Sequence, residues 1–582
     1  MEGRSKRSML ILGLSNMRDA AAALVRDGHI VAAAEEERFV RIKHVTALPV
    51  QAIRYCLREA GVRLAEVDHI AVPWKYWVVG RRGRLALGSM LRSPTFFRVK
   101  SRRSVERVGA EWAELAFLRG RLHRAFGPGP YHPVYLDHHL CHAASSFLVS
   151  PFERAAILVV DGASEAHTAM LALGEGNQIR VLQRIPLPHS LGQFYAGFTS
   201  YLGFLPDRDE YIVMGLAAYG EPRFAPLLRD HVLRLQPDGT FRLNSRLFDF
   251  HLARVGIFLP EFVRLFGPKR LAVDEIGGRH RDLAASLQLV LEEALLHMAR
   301  HVKKLTAADH LCLAGGVAFN CVANSRLSRE LDFRQVYVQP AAGDAGSALG
   351  AALWLSKRRG ALQAREVMRQ AYLGPQYTEA ECRRALDDAG LLWEAFEEDA
   401  LCDRVATELA RGRLVFWFQG RMEWGPRALG NRSLLADPRR EDMRELINAK
   451  VKLRERFRPF APAVLEERAA DYFEAPWVSP FMQFTFSVLP SAKGIIPAVV
   501  HVDGTSRIQT VDRDSNPRFR KLLQAFDRKA SVPILLNTSF NVNEPIVCTP
   551  EDAVACFRRT EVEWLVLGRL LARRAKPAPG HA

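Results

Sequence analysis

Two histidines spaced four residues apart, His138 and His142, stand where a strand-like run gives way to a helix-like run. On a helix these side chains project from one face, so the two imidazoles can share one metal ion. Asp161 and Asp344 are each predicted near the end of a strand, where catalytic groups collect in α/β folds. Two histidines and two aspartates favour a divalent ion such as iron, manganese or zinc. The four residues predict a metal site, unless the histidines only begin a helix and the aspartates only form turns.

A run rich in glycine and arginine, 419–433, is the most unusual stretch of the chain. Three later segments, 450–458, 501–507 and 535–541, are also basic or polar. Loops of this composition can present backbone N–H groups and guanidinium groups to a polyanion. We interpret the four segments together as a nucleotide or acyl-phosphate site, although each one alone is equally typical of a solvated surface.

A glycine pair, Gly315-Gly316, separates a predicted strand from a predicted helix start. Glycines at this point let the backbone approach a phosphate or a ribose closely. They serve tight packing of a helix on a strand equally well, so both interpretations stay open.

The length of 582 residues exceeds one comfortable core, so two or more domains are expected. A hydrophobic fraction of 48% and a charged fraction of 25% are typical of globular proteins. No apolar run approaches the roughly 20 residues of a membrane span, and the first residues open a strand rather than a secretory signal. The eight cysteines show no Cys-x-x-Cys spacing, which indicates reduced, buried thiols. A cytoplasmic enzyme is expected.

The net charge of +17 is compatible with nucleic acid, a membrane surface or small anionic substrates. Most of this charge is arginine, which is spread along the chain. The stretch 81–107 is an exception, and we interpret it as an insertion that covers a substrate rather than a nucleic-acid surface. Since no helix-turn-helix, RNA-recognition or zinc-finger pattern accompanies it, no specific nucleic-acid partner is expected.

The elements that must position these residues follow a repeated plan. Strands are predicted over 9–15, 20–25 and 30–34, and Asp27-Gly28 is a strong hairpin signal between the last two. The same strand, turn, strand, turn, strand order recurs from 156 to 185. Such a duplication is typical of actin-like ATPase folds. The pattern loosens between 356 and 378, which predicts one domain over 1–360 and a second over 361–582.

Several long runs together resemble the O-carbamoyltransferases that modify aminoglycosides, cephalosporins, ansamycins and nodulation factors. The similarity extends from about residue 9 to residue 565. The matching runs are 137–145, 213–220, 281–288, 311–324, 420–438, 454–462, 501–510 and 535–550.

This resemblance implies an α/β protein with two domains whose reactions follow one another. The N-terminal domain would be a duplicated actin-like fold that carries a metal site and transfers the carbamoyl group. The C-terminal domain would be a YrdC-like α/β fold that makes carbamoyladenylate from carbamoyl phosphate and ATP. The carbamoyl group would then pass to a hydroxyl or amine of a small natural product, in secondary metabolism such as antibiotic biosynthesis. The implied cofactors are a divalent metal, with iron the first choice and manganese or zinc the others, and Mg²⁺ for ATP.

The resemblance also assigns residues, motif by motif. The implied metal ligands are His138, His142, Asp161 and Asp344. The implied adenylate-binding residues of the first domain are Gly315, Gly316 and Asn320. The implied phosphate- and nucleotide-binding residues of the second domain are Arg427, Lys452, Arg458, Arg507, Asn537 and Ser539.

The first polar turn departs from the family pattern. Related enzymes carry a His-Asp pair there, whose histidine would serve as the base for the acceptor hydroxyl, whereas this chain has Arg18-Asp19. An arginine cannot act as a base at neutral pH. Either Asp19 or His44 takes that role, or the acceptor is an amine that needs little deprotonation. The family's glycine between Asn543 and Glu544 is also absent, which predicts a shorter loop beside Asn537.

The expected partners are the small-molecule acceptor, carbamoyl phosphate and ATP, with a homodimer left open and no membrane. Contacts to the acceptor are expected from two variable segments, 76–124 and 248–279. Two alternatives remain at this point. One is a transfer-RNA-modifying or nucleic-acid-binding relative, for which the charge argues, and the other is an adenylating enzyme that has lost transfer, for which Arg18 argues.

Overall fold

A computed structural model of the protein describes residues 8–16, 18–78, 84, 113–244, 247, 258 and 260–574. The chain divides into two compact units. The first unit comprises residues 1–36 and 44–368, and the second comprises residues 37–43 and 369–582. The first unit thus extends past residue 360, where the sequence places the boundary. We call residues 37–43, which belong to the second unit despite their place near the N-terminus, the strap.

The first sheet of the first unit has five strands. β1, β2 and β3 form an antiparallel meander, and β4 and β5 continue the sheet in parallel, in the order β3-β2-β1-β4-β5. Asp27 and Gly28, with φ angles of 52° and 89°, form the predicted hairpin turn between β2 and β3. The strands are β1 (Leu10–Ser15), β2 (Ala21–Arg26), β3 (His29–Glu35), β4 (His69–Val72) and β5 (Pro133–Tyr135).

The second sheet repeats this plan. β6, β7 and β8 form the meander, β11 and β12 follow in parallel, and the order is β12-β11-β6-β7-β8. The predicted internal repeat and the mixed α/β class are therefore confirmed. The strands are β6 (Arg154–Val160), β7 (His167–Glu175), β8 (Gln178–Pro186), β11 (His310–Ala314) and β12 (Gln335–Val338). β9 (Leu233–Leu235) and β10 (Phe241–Leu243) form a separate antiparallel pair.

Helices cover these sheets. The helix Asp344–Arg358 packs on β1, β2 and the helix His138–Phe147. A Cβ atom on Gly350 would collide with the Cys141 carbonyl, so glycine permits this close approach. The helices of the first unit are Val50–Ala60, Leu118–Phe126, His138–Phe147, Leu191–Tyr201, Glu210–Ala217, Ala225–Leu227, Pro260–Phe266, Gly278–Thr306, Cys321–Glu330 and Asp344–Arg358, with short turns at Leu64–Glu66, Leu228–Val232 and Gly316–Phe319.

The second unit is built on an eight-stranded mixed sheet in the order β13-β22-β21-β14-β15-β20-β16-β19. β14, β15 and β16 are buried along their whole length, which is typical of strands covered on both faces. The strands are β13 (Trp393–Ala395), β14 (Val415–Phe418), β15 (Arg432–Ala436), β16 (Ala461–Leu465), β19 (Gln509–Val511), β20 (Ile534–Ser539), β21 (Trp564–Leu567) and β22 (Leu570–Arg573). β17 (Phe486–Ser487) and β18 (Thr505–Ser506) form a small separate sheet.

The helices of the second unit alternate with its strands. They are Glu379–Asp388, Glu398–Ala410, Met443–Ile447, Pro490–Lys493, Pro517–Ala530 and Pro550–Arg558, with short turns at Asn448–Lys452, Glu466–Asp471 and Pro497–Val499. The helix Glu36–Val40 begins at the end of the first unit and continues into the strap. In the part of the chain that the structure describes, no helix combines the length and the apolar character that a membrane crossing needs.

Candidate metal centre and anion-binding loops

Four side chains of the first unit converge on one buried point. His138 and His142 lie one turn apart on the helix His138–Phe147, Asp161 follows β6, and Asp344 begins the helix Asp344–Arg358. One ligand atom from each residue lies within 4.8 Å of the others. The structure therefore brings together the four residues that the sequence nominated as metal ligands.

The distances within this cluster fit a shared cation. The two imidazole Nε2 atoms are 3.1 Å apart. Asp161 Oδ2 lies 3.3 Å from His138 Nε2, and Asp344 Oδ1 lies 3.5 and 3.4 Å from the two Nε2 atoms. Atoms that each bind one metal at about 2.1 Å are themselves about 3 to 3.5 Å apart. The donor set, two imidazoles and two carboxylates, also suits a divalent ion.

Neighbouring backbone groups orient two of these side chains. His138 Nδ1 donates to the Pro73 carbonyl at 2.9 Å, which directs Nε2 towards the cluster. The Gly316 N–H donates to Asp161 Oδ1 at 3.1 Å, which leaves Oδ2 towards the histidines. Metal-binding residues are typically held by such outer hydrogen bonds. The cluster has this second layer of support for His138 and Asp161.

The ionisation of the cluster follows from its burial and its pairing. Burial raises the pKa of Asp161, but the hydrogen bond from His138 and the charge of His142 outweigh it and hold the pKa below its ordinary value. Burial lowers the pKa of His138, but Asp161 and Asp344 outweigh it and raise the pKa well above its ordinary value. Burial and the charge of His138 hold the pKa of His139 well below its ordinary value, so His139 is a neutral neighbour outside the cluster.

Two polar side-chain pairs, Arg18 with Asp207 and Asp19 with His44, involve the turn between β1 and β2. Arg18 Nη1 lies 3.1 Å from Asp207 Oδ1, and 3.4 Å from where a Cβ atom on Gly162 would stand. Since Gly162 follows Asp161, Arg18 lies beside the candidate metal centre. Asp19 Oδ1 lies 2.8 Å from Nδ1 of His44. Donation from Nδ1 places the lone pair of His44 on Nε2, where it can take up a proton.

The residues assigned to an adenylate site in the first unit have internal roles. A Cβ atom on Gly315, whose φ angle is 91°, would collide with the Val160 carbonyl, so tight packing explains this glycine. Asn320 caps the helix Cys321–Glu330 by accepting the Ala323 N–H at 3.0 Å. Its Nδ2 donates to Gln288 at 2.9 Å. Adenylate binding by Gly315, Gly316 and Asn320 stays a prediction.

The glycine-rich loop of the second unit, residues 420–431, is held by the protein itself. Glu423 Oε1 accepts backbone N–H groups from Leu429, Asn431 and Arg432 at 2.7, 2.8 and 3.1 Å. Asn537 Nδ2 donates to the Ala428 carbonyl at 3.3 Å. The loop that carries Arg427 is thus fixed before any ligand arrives.

Lys452, predicted to bind phosphate, is fully enclosed. Its Nζ donates to the Asn541 carbonyl at 2.8 Å, to Asn541 Oδ1 at 2.7 Å and to the Ser539 carbonyl. Burial, and then the charge of Arg454, hold the pKa of Lys452 well below its ordinary value. Ser539 Oγ also donates to Asn541 Oδ1 at 2.7 Å. Lys452 therefore joins Ser539 to Asn541, a residue that the sequence argument missed.

Arg458 and Arg507 are the next predicted cations of the second unit. Arg458 Nη1 lies 3.5 Å from Glu455, and its charge also lowers the pKa of Lys452. Arg507 Nε is buried and has no hydrogen-bond partner among the described residues. Arg507 precedes β19, and Gln509 of that strand accepts from Asn537 Nδ2 at 2.9 Å. These residues surround the same loops, but their joint binding of a ligand stays a prediction.

Comparison with known proteins decides the family. Residues 10–87 and 111–353 match the family model of the carbamoyltransferase N-terminus. Residues 406–574 match that of the carbamoyltransferase C-terminus. The chain belongs to the carbamoyltransferase family. The resemblance noted in the sequence is thereby confirmed, and the family implies a transferase.

Individual relatives of this carbamoyltransferase cover nearly the whole chain. Nodulation protein NolNO of Sinorhizobium fredii is 41% identical over 99% of this chain and 82% of its own length. An uncharacterised protein of Synechocystis sp. is 42% identical over 97% of both chains. Nodulation protein U of Rhizobium tropici is 30% identical over 94% of this chain and 93% of its own.

Solved structures show a weaker likeness. Component A of the (R)-2-hydroxyglutaryl-CoA dehydratase of Acidaminococcus fermentans is 13% identical, with a TM-score of 0.32 over 61% of this chain and 99% of that chain. Full-length HypF in its phosphate- and nucleotide-bound form is 12% identical, with a TM-score of 0.31 over 60% of this chain and 55% of that chain. Scores at this level support no functional argument.

The first segment predicted to contact the acceptor, 76–124, lies largely outside the described residues, which omit 79–83 and 85–112. The second, 248–279, is described except for 248–257 and 259. The basic stretch 81–107 lies outside the described residues, apart from Arg84.

Proposed function

We propose that this carbamoyltransferase makes carbamoyladenylate from carbamoyl phosphate and ATP and transfers the carbamoyl group to a hydroxyl or amine of a small natural product. In this proposal the first unit is an actin-like transfer domain and the second a YrdC-like adenylate-forming domain. The observation that carries it is the buried cluster of His138, His142, Asp161 and Asp344, whose ligand atoms all lie within 4.8 Å of one another.

Adenylate formation is assigned to the second unit. Hydrolysis of carbamoyl phosphate by water would give carbamate and phosphate, and attack of the carbamate oxygen on the α-phosphorus of ATP would give carbamoyladenylate and pyrophosphate. Carbamate is a poor acyl donor, and adenylation makes its oxygen part of a leaving group, AMP, which departs when the carbamoyl group is transferred. Arg427, Arg458 and Arg507 would neutralise these anions, with Mg²⁺ accompanying ATP. Lys452 would act by holding Ser539 and Asn541 in place, since its own N–H groups already bond these residues. Asn537 would fix the loop of Arg427 through the Ala428 carbonyl.

Carbamoyl transfer is assigned to the first unit. The four-residue cluster would hold a divalent ion, iron being our first choice, and such an ion supplies electrostatic stabilisation to a developing oxyanion. Gly315, Gly316 and Asn320 would face the adenylate, and the Gly316 N–H keeps Asp161 in position.

His44 is the base that the geometry favours. Asp19 lies 2.8 Å from His44 Nδ1, so a carboxylate orients the imidazole as in other acid–base pairs. The alternative, an amine acceptor whose pKa Arg18 lowers, is weakened because Asp207 already pairs with Arg18 at 3.1 Å. We therefore propose His44 with Asp19 as the proton acceptor and Arg18 as a group that contacts the acceptor.

The full chain loaded with metal tests both halves. Carbamoyl phosphate should drive exchange of labelled pyrophosphate into ATP, and candidate metabolites should gain the mass of one carbamoyl group. Absence of exchange with carbamoyl phosphate would contradict the adenylation step. Exchange without transfer to any member of a broad acceptor panel would instead favour the alternative that transfer has been lost.

A further inference from the structure

One buried amide of the first unit has no polar partner in the described part of the chain. Asn16, the residue that follows β1, is only 3% exposed. Its Oδ1 and its Nδ2 are both buried, and neither has a hydrogen-bond partner among the described residues. An unsatisfied buried donor or acceptor destabilises the folded state, and buried side-chain amides are nearly always hydrogen-bonded. Asn16 is therefore a candidate for binding a ligand.

Asn16 lies at the sheet edge beside the candidate metal centre. β1 runs parallel to β4, with Gly13 paired to Ala71, so both strands end at the same edge of the sheet. Pro73 follows β4 there, and its carbonyl accepts the hydrogen bond from Nδ1 of His138, one of the candidate metal ligands. Neighbouring strands are about 4.8 Å apart. The residue after β1 thus lies close to the carbonyl that orients His138.

The turn that begins with Asn16 also faces the metal centre from its other side. Nη1 of Arg18 is 3.4 Å from where a Cβ atom on Gly162 would stand, and Gly162 follows the candidate ligand Asp161. Ser15 Oγ donates to the Arg18 carbonyl at 3.1 Å, which joins the residues before and after Asn16. The strand register and the contact of Arg18 are independent observations, and both bring this turn to the candidate metal centre.

The hydrogen-bonding groups of a primary amide match those of a carbamoyl group. A carbamoyl group has a carbonyl oxygen that accepts and an NH2 group that donates, and an asparagine side chain offers the complementary donor and acceptor. A phosphate would use only Nδ2, and a cation would use only Oδ1, whereas a carbamoyl group uses both unpartnered atoms. Asparagine donors also stabilise the negative charge that develops on a carbonyl oxygen during acyl transfer.

We propose that Asn16 binds the carbamoyl group of the adenylate in the first unit and selects it against other acyl groups. In this arrangement Nδ2 donates to the carbonyl oxygen, and the carbamoyl NH2 donates to Oδ1. The inference rests on the proposed carbamoyl transfer at the metal centre. It adds the residue that recognises the transferred group itself, in a turn outside the runs that carry the family resemblance.

The selectivity is tested with two unreactive adenylate analogues that differ in one group. The first, a carbamoylsulfamoyl adenosine, carries the NH2 group, and the second, an acetylsulfamoyl adenosine, carries a methyl group in its place. Both are titrated into the full chain loaded with metal, and binding that is absent in His142→Ala is assigned to the first unit. The parent should bind the carbamoyl analogue at least about tenfold more tightly, because the acetyl analogue leaves Oδ1 unpaired.

Asn16→Leu is the decisive variant, because leucine has nearly the same size and no polar atom. The ratio of the two dissociation constants should fall to about one, through weaker binding of the carbamoyl analogue. Its Tm should stay the same or rise, because the buried amide has no hydrogen bond within the described protein to lose. A merely structural role would instead lower Tm and leave the ratio unchanged.

Asn324→Leu is the matched control in the same unit. Asn324 is 1% exposed, but its Nδ2 donates to the Ala318 carbonyl at 2.7 Å. This substitution removes a hydrogen bond within the protein, so it should lower Tm and keep the parental ratio of dissociation constants.

The outcomes separate this inference from the proposed function. If the parent prefers the carbamoyl analogue and Asn16→Leu keeps that preference, another group recognises the NH2, and the inference is wrong while carbamoyl transfer stands. Equal affinity of the parent for the two analogues would also overturn the inference. If the parent and His142→Ala bind both analogues equally, the adenylate does not reach the metal centre, and the proposed transfer is wrong together with the role of Asn16.

Discussion

The two candidate sites differ in how far their polar atoms are hydrogen-bonded to the rest of the protein. In the first unit, the Nε2 atoms of His138 and His142 face each other at 3.1 Å, and two carboxylates face them. In the second unit, Lys452 Nζ and Glu423 Oε1 each bond several groups of the protein. The first site gathers ligand atoms that a bound cation would hold together, whereas the second is preorganised by its own hydrogen bonds. Removal of a ligand residue should therefore abolish binding in the first site, and removal of a support should loosen the second.

The largest expected effect is that of His142→Ala. Without one of four ligands the bound metal should be lost, and carbamoyl transfer should fall to background. Exchange of pyrophosphate into ATP should stay within about threefold of the parental rate, because the second unit is untouched. Metal analysis and both assays check this. His139→Ala removes a buried histidine of the same helix that lies outside the cluster, and it should keep its metal. Full metal occupancy in His142→Ala would refute the assignment.

The next effect concerns the proposed base. His44→Asn should lower transfer to a hydroxyl acceptor by about 10²- to 10⁴-fold, the usual contribution of a general base. Metal content and adenylate formation should not change. His29→Asn provides the control, since His29 is an exposed histidine paired with Glu366. If transfer proceeds at the parental rate in His44→Asn, another group removes the proton.

Removal of Lys452, which supports the second site, should have a smaller effect. Lys452→Met removes the hydrogen bonds that Nζ donates to oxygens of Ser539 and Asn541, so the segment that follows β20 should shift. We expect kcat/KM for exchange to fall about 10²-fold, with unchanged metal content. Lys450→Met, which removes an exposed lysine paired with Glu561, should have no such effect. Equal exchange in the two variants would show that the enclosed ammonium has no part in adenylation.

The smallest effect is on stability. Burial, and then the charge of Asp207, raise the pKa of Glu210 to about 7. Because the folded state holds this proton more tightly than the unfolded state, stability should fall as pH rises from about 4.5 to 7, by up to about 3 kcal/mol. Glu210→Gln keeps the acceptor for the Asp207 N–H and removes this loss. Chemical unfolding of parent and variant at pH 5 and pH 8 measures the difference, and identical pH dependence would contradict it.

Local signals in the sequence predict many elements well. The Asp27-Gly28 turn predicts the hairpin of β2 and β3, and the recurring order of strands and turns predicts the internal repeat. The metal cluster could be nominated from spacing and residue type. Its convergence could not, because it depends on packing of the helix Asp344–Arg358 against the helix His138–Phe147 through Gly350.

Long-range contacts explain what the sequence did not reveal. The basic segment around Lys452 is also typical of a solvated surface, yet the side chain is enclosed because its hydrogen-bond acceptors come from residues 539–541. The contacts of the strap could not be predicted, because its partners lie far along the chain. Glu423 lies within the predicted basic loop, but its capture of three N–H groups depends on the fold of that loop.

The strap also constrains the order in which the chain can mature. Arg38 and its acceptor in Gly425 are 387 residues apart, and Arg41 and Ile546 are 505 residues apart. At about 5 to 20 residues per second, ribosomes need roughly 20 to 100 seconds to cover such distances. During that time the buried cluster against which Phe39 packs has not been made, and the second unit cannot finish until the strap, one of the earliest segments to be made, is incorporated. Residues 369–582 therefore complete their fold around a segment made near the start of synthesis.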